Sequence, residues 1–205
     1  APRAPLPGRP RGGDGADRAV GGAALSAPPP PTEELVARWG SLPMGSLALL
    51  TGGRGAGKTR WCEALARAAR EAKLAVRGVL SPPVLAGGEK RAIDLLDLAT
   101  GSRRFLAERA RPDLPGTEGL GWRFDPEALA AGNVALERVG ACDLLLVDEL
   151  GPLELERGSG FTAAFGLLDA RRHGLAIVVV RPSLVAAAGA RWPGATRLWD
   201  LGGDR

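Results

Sequence analysis

The octapeptide GGRGAGKT, residues 52–59, starts at the glycine that ends a short apolar run, SLALLTG, residues 46–52. A helix-patterned segment, KTRWCEALARAAREAK, residues 58–73, comes next, with Trp61, Leu65 and Ala68 or Ala69 recurring on one face. Few folds accept this junction: a buried strand must end, a bare loop must turn, and a helix must start inside the turn. Gly52, Gly57, Lys58 and Thr59 occupy the fixed positions of G-x-x-x-x-G-K-[ST]. Lysine is rare in this chain, with three copies against twenty-four arginines. At its own residue frequencies, roughly 0.4% of shuffled chains would carry the pattern.

A polyphosphate explains why such a loop exists. Successive backbone N–H groups from Arg54 to Thr59, with the positive end of the helix dipole, make a concave anion site. Side chains would obstruct the approach, and Gly52, Gly55 and Gly57 leave the backbone bare. Lys58 is a compact charge on a flexible stem that reaches the β- and γ-phosphates, where a planar guanidinium is a poor substitute. The Thr59 hydroxyl is the expected magnesium ligand. Arg54 and Arg60 steer phosphate or stay solvated. The expected nucleotide-binding set is Gly52, Gly53, Arg54, Gly55, Ala56, Gly57, Lys58, Thr59 and Arg60.

The rest of the chain alternates strands and helices. Residues 1–31 are rich in Pro, Gly and Ala, lack a periodic apolar pattern, and read as a flexible tail. Residues 32–205 read as one domain. Thr32 is expected to cap a short helix through Trp39. AVRGVLSPP, 75–83, reads as a strand stopped by prolines, and 91–109 as a hairpin around ATGS. Residues 110–121 read as a loop. Asp125 and Pro126 open a helix over 126–139. CDLLLVDE, 142–149, LAIVVVRP, 175–182, and TRLWDL, 196–201, read as strands, and 160–173 as a helix. Continuous apolar strands separated by helices mean an α/β fold: a mainly parallel sheet flanked by helices, with an antiparallel hairpin insertion.

A phosphate loop alone says only that a nucleotide binds. LLLVDELGPLEL, 144–155, puts Asp148 at the carboxyl end of an apolar strand, the edge where open α/β sheets hold ligands. Asp148 is the second expected magnesium ligand, and Glu149 the candidate for orienting or deprotonating the attacking water. Glu154 either approaches the metal's outer ligands or faces solvent. Charge developing on the phosphate needs a cation besides Lys58. Arg181, at the end of VVVRP, is the leading candidate, with Arg91, Arg103 and Arg104 on the hairpin as rivals. Trp122 and Trp61 are candidates for stacking on a base or for the core.

Composition narrows the alternatives. Two distant cysteines, Cys62 and Cys142, match no metal or redox spacing and read as buried thiols in a reducing compartment. A single histidine, His173, leaves no room for a histidine metal cluster or a Ser-His-Asp triad, and is expected as a solvated cation at a helix end. The net charge of +4 is scattered rather than striped, which argues against a nucleic-acid partner. No membrane span or secretory leader is legible, and the expected location is the cytoplasm. The protein partner, if there is one, is not legible.

VDELGPLEL, about ninety residues after GGRGAGKT, resembles the second motif of a family of P-loop nucleoside-triphosphatases first known from thermophiles, also called cancer-related nucleoside-triphosphatases. EKRAIDLLDLATGSRRFLA, 89–107, and GWRFDPEALAAGNVAL, 121–136, resemble that family's strand pair and its aromatic strand with the following helix. The resemblance covers about residues 45–185. It implies the RecA-type branch of the P-loop fold, in which a strand stands between the two motif strands, and hydrolysis of the γ-phosphate with magnesium and broad base tolerance. Two other readings stand beside hydrolysis. One is a kinase passing the γ-phosphate to a small acceptor, although ERGSGFTAAFG follows the acidic strand instead of an arginine-rich lid. The other is a nucleotide switch with little turnover, using 110–121 as its moving part.

Overall fold

The computed structural model describes residues 27–111, 120–193 and 197–202. The expected tail lies largely outside them, as does most of the loop at 110–121. The described end of the tail is not free of the fold. Ala27 bridges to Trp199, and its carbonyl accepts the Asp200 N–H at 2.8 Å.

In chain order the elements are α1 (Thr32–Ala37), β1 (Ser46–Thr51), α2 (Lys58–Glu71), β2 (Val76–Leu80), β3 (Pro83–Ala86), β4 (Glu89–Asp97), β5 (Arg103–Arg109), β6 (Trp122–Phe124), α3 (Pro126–Glu137), β7 (Cys142–Val147), α4 (Pro152–Leu155), α5 (Ala163–Asp169), β8 (His173–Val179), α6 (Val185–Arg191) and β9 (Arg197–Asp200). The strands form one sheet in the order β6-β5-β4-β2-β7-β8-β1-β9, with β3 paired to β4. From β2 to β9 every neighbouring pair is parallel. β8 separates β1 from β7, the arrangement expected of the RecA-type branch.

The apolar runs are continuous because the sheet is buried on both faces. Along β1, Leu47 and Leu49 enter one core while Ala48 and Leu50 enter the other. Along β7, Leu145 and Val147 oppose Leu144 and Leu146 in the same way. One layer receives α2 through Cys62, Leu65, Ala66 and Ala69, spaced i, i+3, i+4, i+7. The buried stripe is thus turned slightly from the expected one, and Trp61 sits at its margin, half-buried. The other layer receives α3, α5 and α6 through Ala128, Leu136, Ala164, Leu168 and Ala188. As expected, Asp125 caps α3, its carboxylate accepting the Glu127 N–H at 2.9 Å, with Pro126 in the first turn.

The antiparallel part is larger than a hairpin and continuous with the main sheet. β4 pairs with β2 through Leu80↔Leu96 and Val79↔Asp97. β2 ends before the prolines, as expected, but the chain re-enters the sheet at once: Pro83 opens β3, on the sheet's margin, where its missing N–H costs no ladder bond. Two helix expectations change. Thr32 is buried inside the first turn of α1 and Pro31 holds the cap position. The helix expected over 160–173 is only Ala163–Asp169, because Arg171 adopts a left-handed backbone (φ +49°) that turns the chain into β8.

That turn corrects the expectation for His173. The residue begins β8 and is 1% exposed. Burial, and then the positive Arg171 beside it, hold its pKa below the ordinary value of 6.5. The folded protein therefore keeps the imidazole neutral at pH values where the unfolded chain protonates it. This contribution to stability is complete above about pH 6.5 and is lost as pH falls from there through the folded pKa. Among the described residues no helix is long and apolar enough to cross a membrane. With one histidine in the sequence, its imidazole NMR resonances are unambiguous. They should titrate with a midpoint below 6.5 and broaden only as the fold melts; a midpoint at or above 6.5 contradicts the buried position.

Candidate active site

The loop between β1 and α2 is built as its glycines require. Gly52, Gly55 and Gly57 have φ of +143°, +80° and +87°. Gly52 is also hemmed in: a Cβ there would lie 2.9 Å from the Gly202 carbonyl oxygen and 3.2 Å from the Ala56 Cβ. The loop is tied to the end of β9 by the Gly53 N–H, which donates to the Gly202 carbonyl at 2.8 Å. Beyond that tie, the amides of Arg54, Gly55, Gly57, Lys58 and Thr59 find no acceptor among the described residues. Five free donors at a helix start make an anion cradle. The Lys58 ammonium folds over the loop, donating to the carbonyls of Gly52 at 2.7 Å and Gly53 at 2.8 Å. Burial lowers its pKa, while Glu149 and Asp148 pull it back up. Arg54 and Arg60 are exposed, and Gly53 and Ala56 are half-buried.

The acidic pair stands across from this loop. Asp148 follows β7 directly and is 2% exposed. Its carboxylate accepts the Ser81 N–H at 3.1 Å, and the Thr59 hydroxyl lies near enough to stabilise its charge. Burial nevertheless pushes its pKa up to about 6; Glu149 adds to that rise, and Lys90 opposes it. Hydroxyl and carboxylate oxygens are hard donors of the type magnesium takes, and their meeting here fits that ion. Among the described residues no group of three or more His, Cys, Asp or Glu forms a metal cage, which magnesium does not require because it keeps several waters.

Glu149 is displaced from the sheet by its own backbone. The Asp148 N–H bonds to the Val79 carbonyl in β2, and the Leu150 N–H to the Val179 carbonyl in β8. Between these anchors Glu149 takes φ +71°. A non-glycine residue there costs about 1–3 kcal/mol, and the result is a side chain lifted into the crevice while both neighbours stay buried. The Arg181 Nε donates to its carboxylate at 2.6 Å. Arg181 thus reaches the site, where its guanidinium engages Glu149. The rival arginines do not converge on it. Arg91 pairs with Glu89 at 2.9 Å, both exposed, Arg103 faces Asp94 at 3.6 Å, and Arg104 is exposed.

The residue that sequence reading missed is Lys90, half-buried on β4 and interacting with Glu149 and Asp148 across the crevice. No motif marks it; its scarcity among arginines was the available signal. Trp122 lies beneath it, with the ammonium 5.0 Å from the ring centroid. Trp61 meets Trp199 edge to face at 5.7 Å and lines a cleft of about 440 Å³ with Pro28–Pro31, Ala64, Asp200 and Leu201. Glu154 is not solvated, and its carboxylate oxygens are taken by the backbone. It is 6% exposed and accepts the N–H groups of Gly151 at 2.8 Å and Phe161 at 2.9 Å, closing the loop after β7.

A family model described as NTPase matches residues 48–187. The chain belongs to this family. It is 35% identical over 107 residues to the nucleoside-triphosphatase THEP1 of Ignicoccus hospitalis, covering 52% of this chain and 60% of that relative. It is 32% identical over 132 residues to the protein of that name from Methanopyrus kandleri, covering 64% of this chain and 71% of the relative. The chain therefore spans about 60% of the length of the Ignicoccus relative. Two solved structures share the fold. A human cancer-related nucleoside triphosphatase superposes with TM-score 0.56 at 17% identity, over 78% of this chain and 89% of that one. THEP1 from Aquifex aeolicus superposes with TM-score 0.54 at 13% identity, over 76% and 90%. The family match and the earlier resemblance cover nearly the same residues. The cleft beside Trp61 draws its proline wall and its β9 wall from outside them.

Glu154 offers a test of how the loop after β7 is held. Replacing it with Ala strands two buried N–H groups, and each costs about 1–3 kcal/mol. Glu154→Ala should lower unfolding stability by about 2–6 kcal/mol in urea titration, and Glu154→Gln by clearly less. A loss below about 0.5 kcal/mol for the Ala variant contradicts the tie.

Proposed function

We propose that this chain is a magnesium-dependent nucleoside-triphosphatase, converting nucleoside 5′-triphosphates such as ATP and GTP to the diphosphate and phosphate. The observation that carries the reading is the convergence of free loop amides and Lys58 with Asp148 and Glu149 at one edge of the sheet. The relatives' names agree with it. We take 32–205, with the bridged end at 27–31, as the catalytic domain. The two unpaired, buried cysteines suit a reducing compartment, and we place the protein in the cytoplasm.

In this reading the amides of residues 54–59 cradle the β-phosphate, and Lys58 leaves its loop carbonyls to bridge the β- and γ-phosphates. The Thr59 hydroxyl and the Asp148 carboxylate would hold magnesium, which when bound neutralises phosphate oxygens. Glu149 orients a water in line with the γ-phosphorus and takes its proton. The water oxygen bonds to phosphorus as the bond to the β,γ-bridging oxygen breaks, and that electron pair leaves with the diphosphate. Arg181 holds the Glu149 carboxylate in place. The base lies in the cleft beside Trp61, where the indole and the proline wall offer apolar faces for stacking, a contact that tolerates different bases.

Phosphate release from ATP, GTP, CTP and UTP tests the reading. Wild type should release phosphate without any added acceptor. Glu149→Gln should lose about 10²-fold or more in kcat, with nucleotide binding retained. Lys58→Ala should lose binding and turnover together. Equal rates in all three proteins, or transfer only to an added acceptor, overturn it. Trp61→Ala should raise KM about tenfold for every nucleotide and leave kcat near wild type; an unchanged KM removes the base from this cleft.

A further inference from the structure

The antiparallel strands carry a residue into the crevice from the wall opposite the phosphate loop. β2 and β7 run parallel and finish together, Val79 beside Val147, where the Ser81 N–H meets Asp148. The chain continues past that edge as β3, turns at Gly87 and Gly88, and returns as β4. The hairpin tip therefore stands beyond the carboxyl ends of the parallel strands, on the side of the loop and the acids. Lys90 is the second residue of the return strand, opposite Leu85. Strand alternation separates it from its neighbours: Glu89 and Arg91 pair with each other in solvent, while Lys90 is half-buried.

Its surroundings come from three other elements. Glu149 and Asp148 after β7 attract it, and Arg54 on the loop and Arg181 after β8 repel it. The Trp122 ring, 5.0 Å away, backs it from β6. Yet among the described residues no carboxylate lies within ion-pair distance of its ammonium and no acceptor takes its hydrogen bonds. A partly desolvated ammonium on the crevice wall, backed by an aromatic ring and without an anionic partner at ion-pair distance, is poised for an anion that arrives from outside.

We propose that Lys90 is a catalytic residue that contacts the terminal phosphate of a bound nucleoside triphosphate from the hairpin side and carries the charge that builds on its oxygens as the bond to the diphosphate breaks. This rests on the hydrolase reading above. Lys58 reaches the phosphates from the loop, and Lys90 reaches the same terminal group from the opposite wall. Trp122 fixes the ammonium by its ring face and leaves its N–H donors for the phosphate. A diphosphate lacks the group that Lys90 contacts, so the residue also distinguishes substrate from product.

The test compares wild type, Lys90→Met and Lys90→Arg. Calorimetry measures affinity for ADP and for a non-hydrolysable ATP analogue, and phosphate release gives kcat and KM. Lys73→Met, an exposed lysine past the far end of α2, serves as control. Lys90→Met should lose about 10²-fold or more in kcat and about tenfold in affinity for the triphosphate analogue, with ADP affinity unchanged. Lys90→Arg should recover much of both, and Lys73→Met should match wild type. Equal losses of ADP and analogue affinity, or a Lys90→Met kcat within about threefold of wild type, overturn the proposal. If wild type binds the analogue but shows no turnover, the hydrolase reading fails by itself. Loss of the triphosphate preference in Lys90→Met then supports the contact, and its retention overturns it.

Discussion

A carboxylate that is 2% exposed is costly unless something answers its charge, and Asp148 sets the arrangement of its neighbours for that reason. Three groups do so from three directions: the Ser81 N–H at the end of β2, the Thr59 hydroxyl at the start of α2, and Lys90 on the return strand of the hairpin. Together they do not overcome the desolvation, and its pKa stays raised to about 6. The site thus retains a local demand for positive charge. In the proposed reading, a cation shared with a polyphosphate would meet that demand and also neutralise the phosphate oxygens.

Sheet order makes this possible. β1 and β7 are not neighbours; β8 separates them, and all three run in one direction. The gap of one strand sets the phosphate loop and Asp148 far enough apart for a ligand and close enough for Thr59 to meet the carboxylate. Glu149 then has to leave the sheet without moving Asp148 or Leu150. Its left-handed backbone achieves that, and Arg181 from the end of β8 receives the side chain. The few lysines divide accordingly. Two of the three face this crevice, while arginines such as Arg91, Arg123 and Arg191 pair with acids on the surface.

What was legible in the sequence was what local chemistry dictates. The glycine loop with Lys58 and Thr59 was readable as a bare strand-to-helix junction, and Asp148 as an acid ending an apolar strand. The Asp125–Pro126 start of α3 follows from capping. What failed depended on tertiary context. His173 looked like a helix-end cation because nothing local announces that Arg171 turns left-handed and sends the chain into β8. Glu154 looked like a surface acid or a metal neighbour; its task, holding Gly151 and Phe161 together, needs a closed loop to be visible. Lys90 could not be placed without knowing that the strands after β2 pass beyond the sheet's carboxyl edge. Arg181 was found by position, but its bond to Glu149 was not foreseeable from spacing.

The most direct measurement of the central claim is a crystal structure with a non-hydrolysable triphosphate and magnesium. The expected result has the phosphates on the amides of residues 54–59, with the ion between the Thr59 hydroxyl and the Asp148 carboxylate. A triphosphate seated elsewhere, or an ion held without Asp148, would contradict the account.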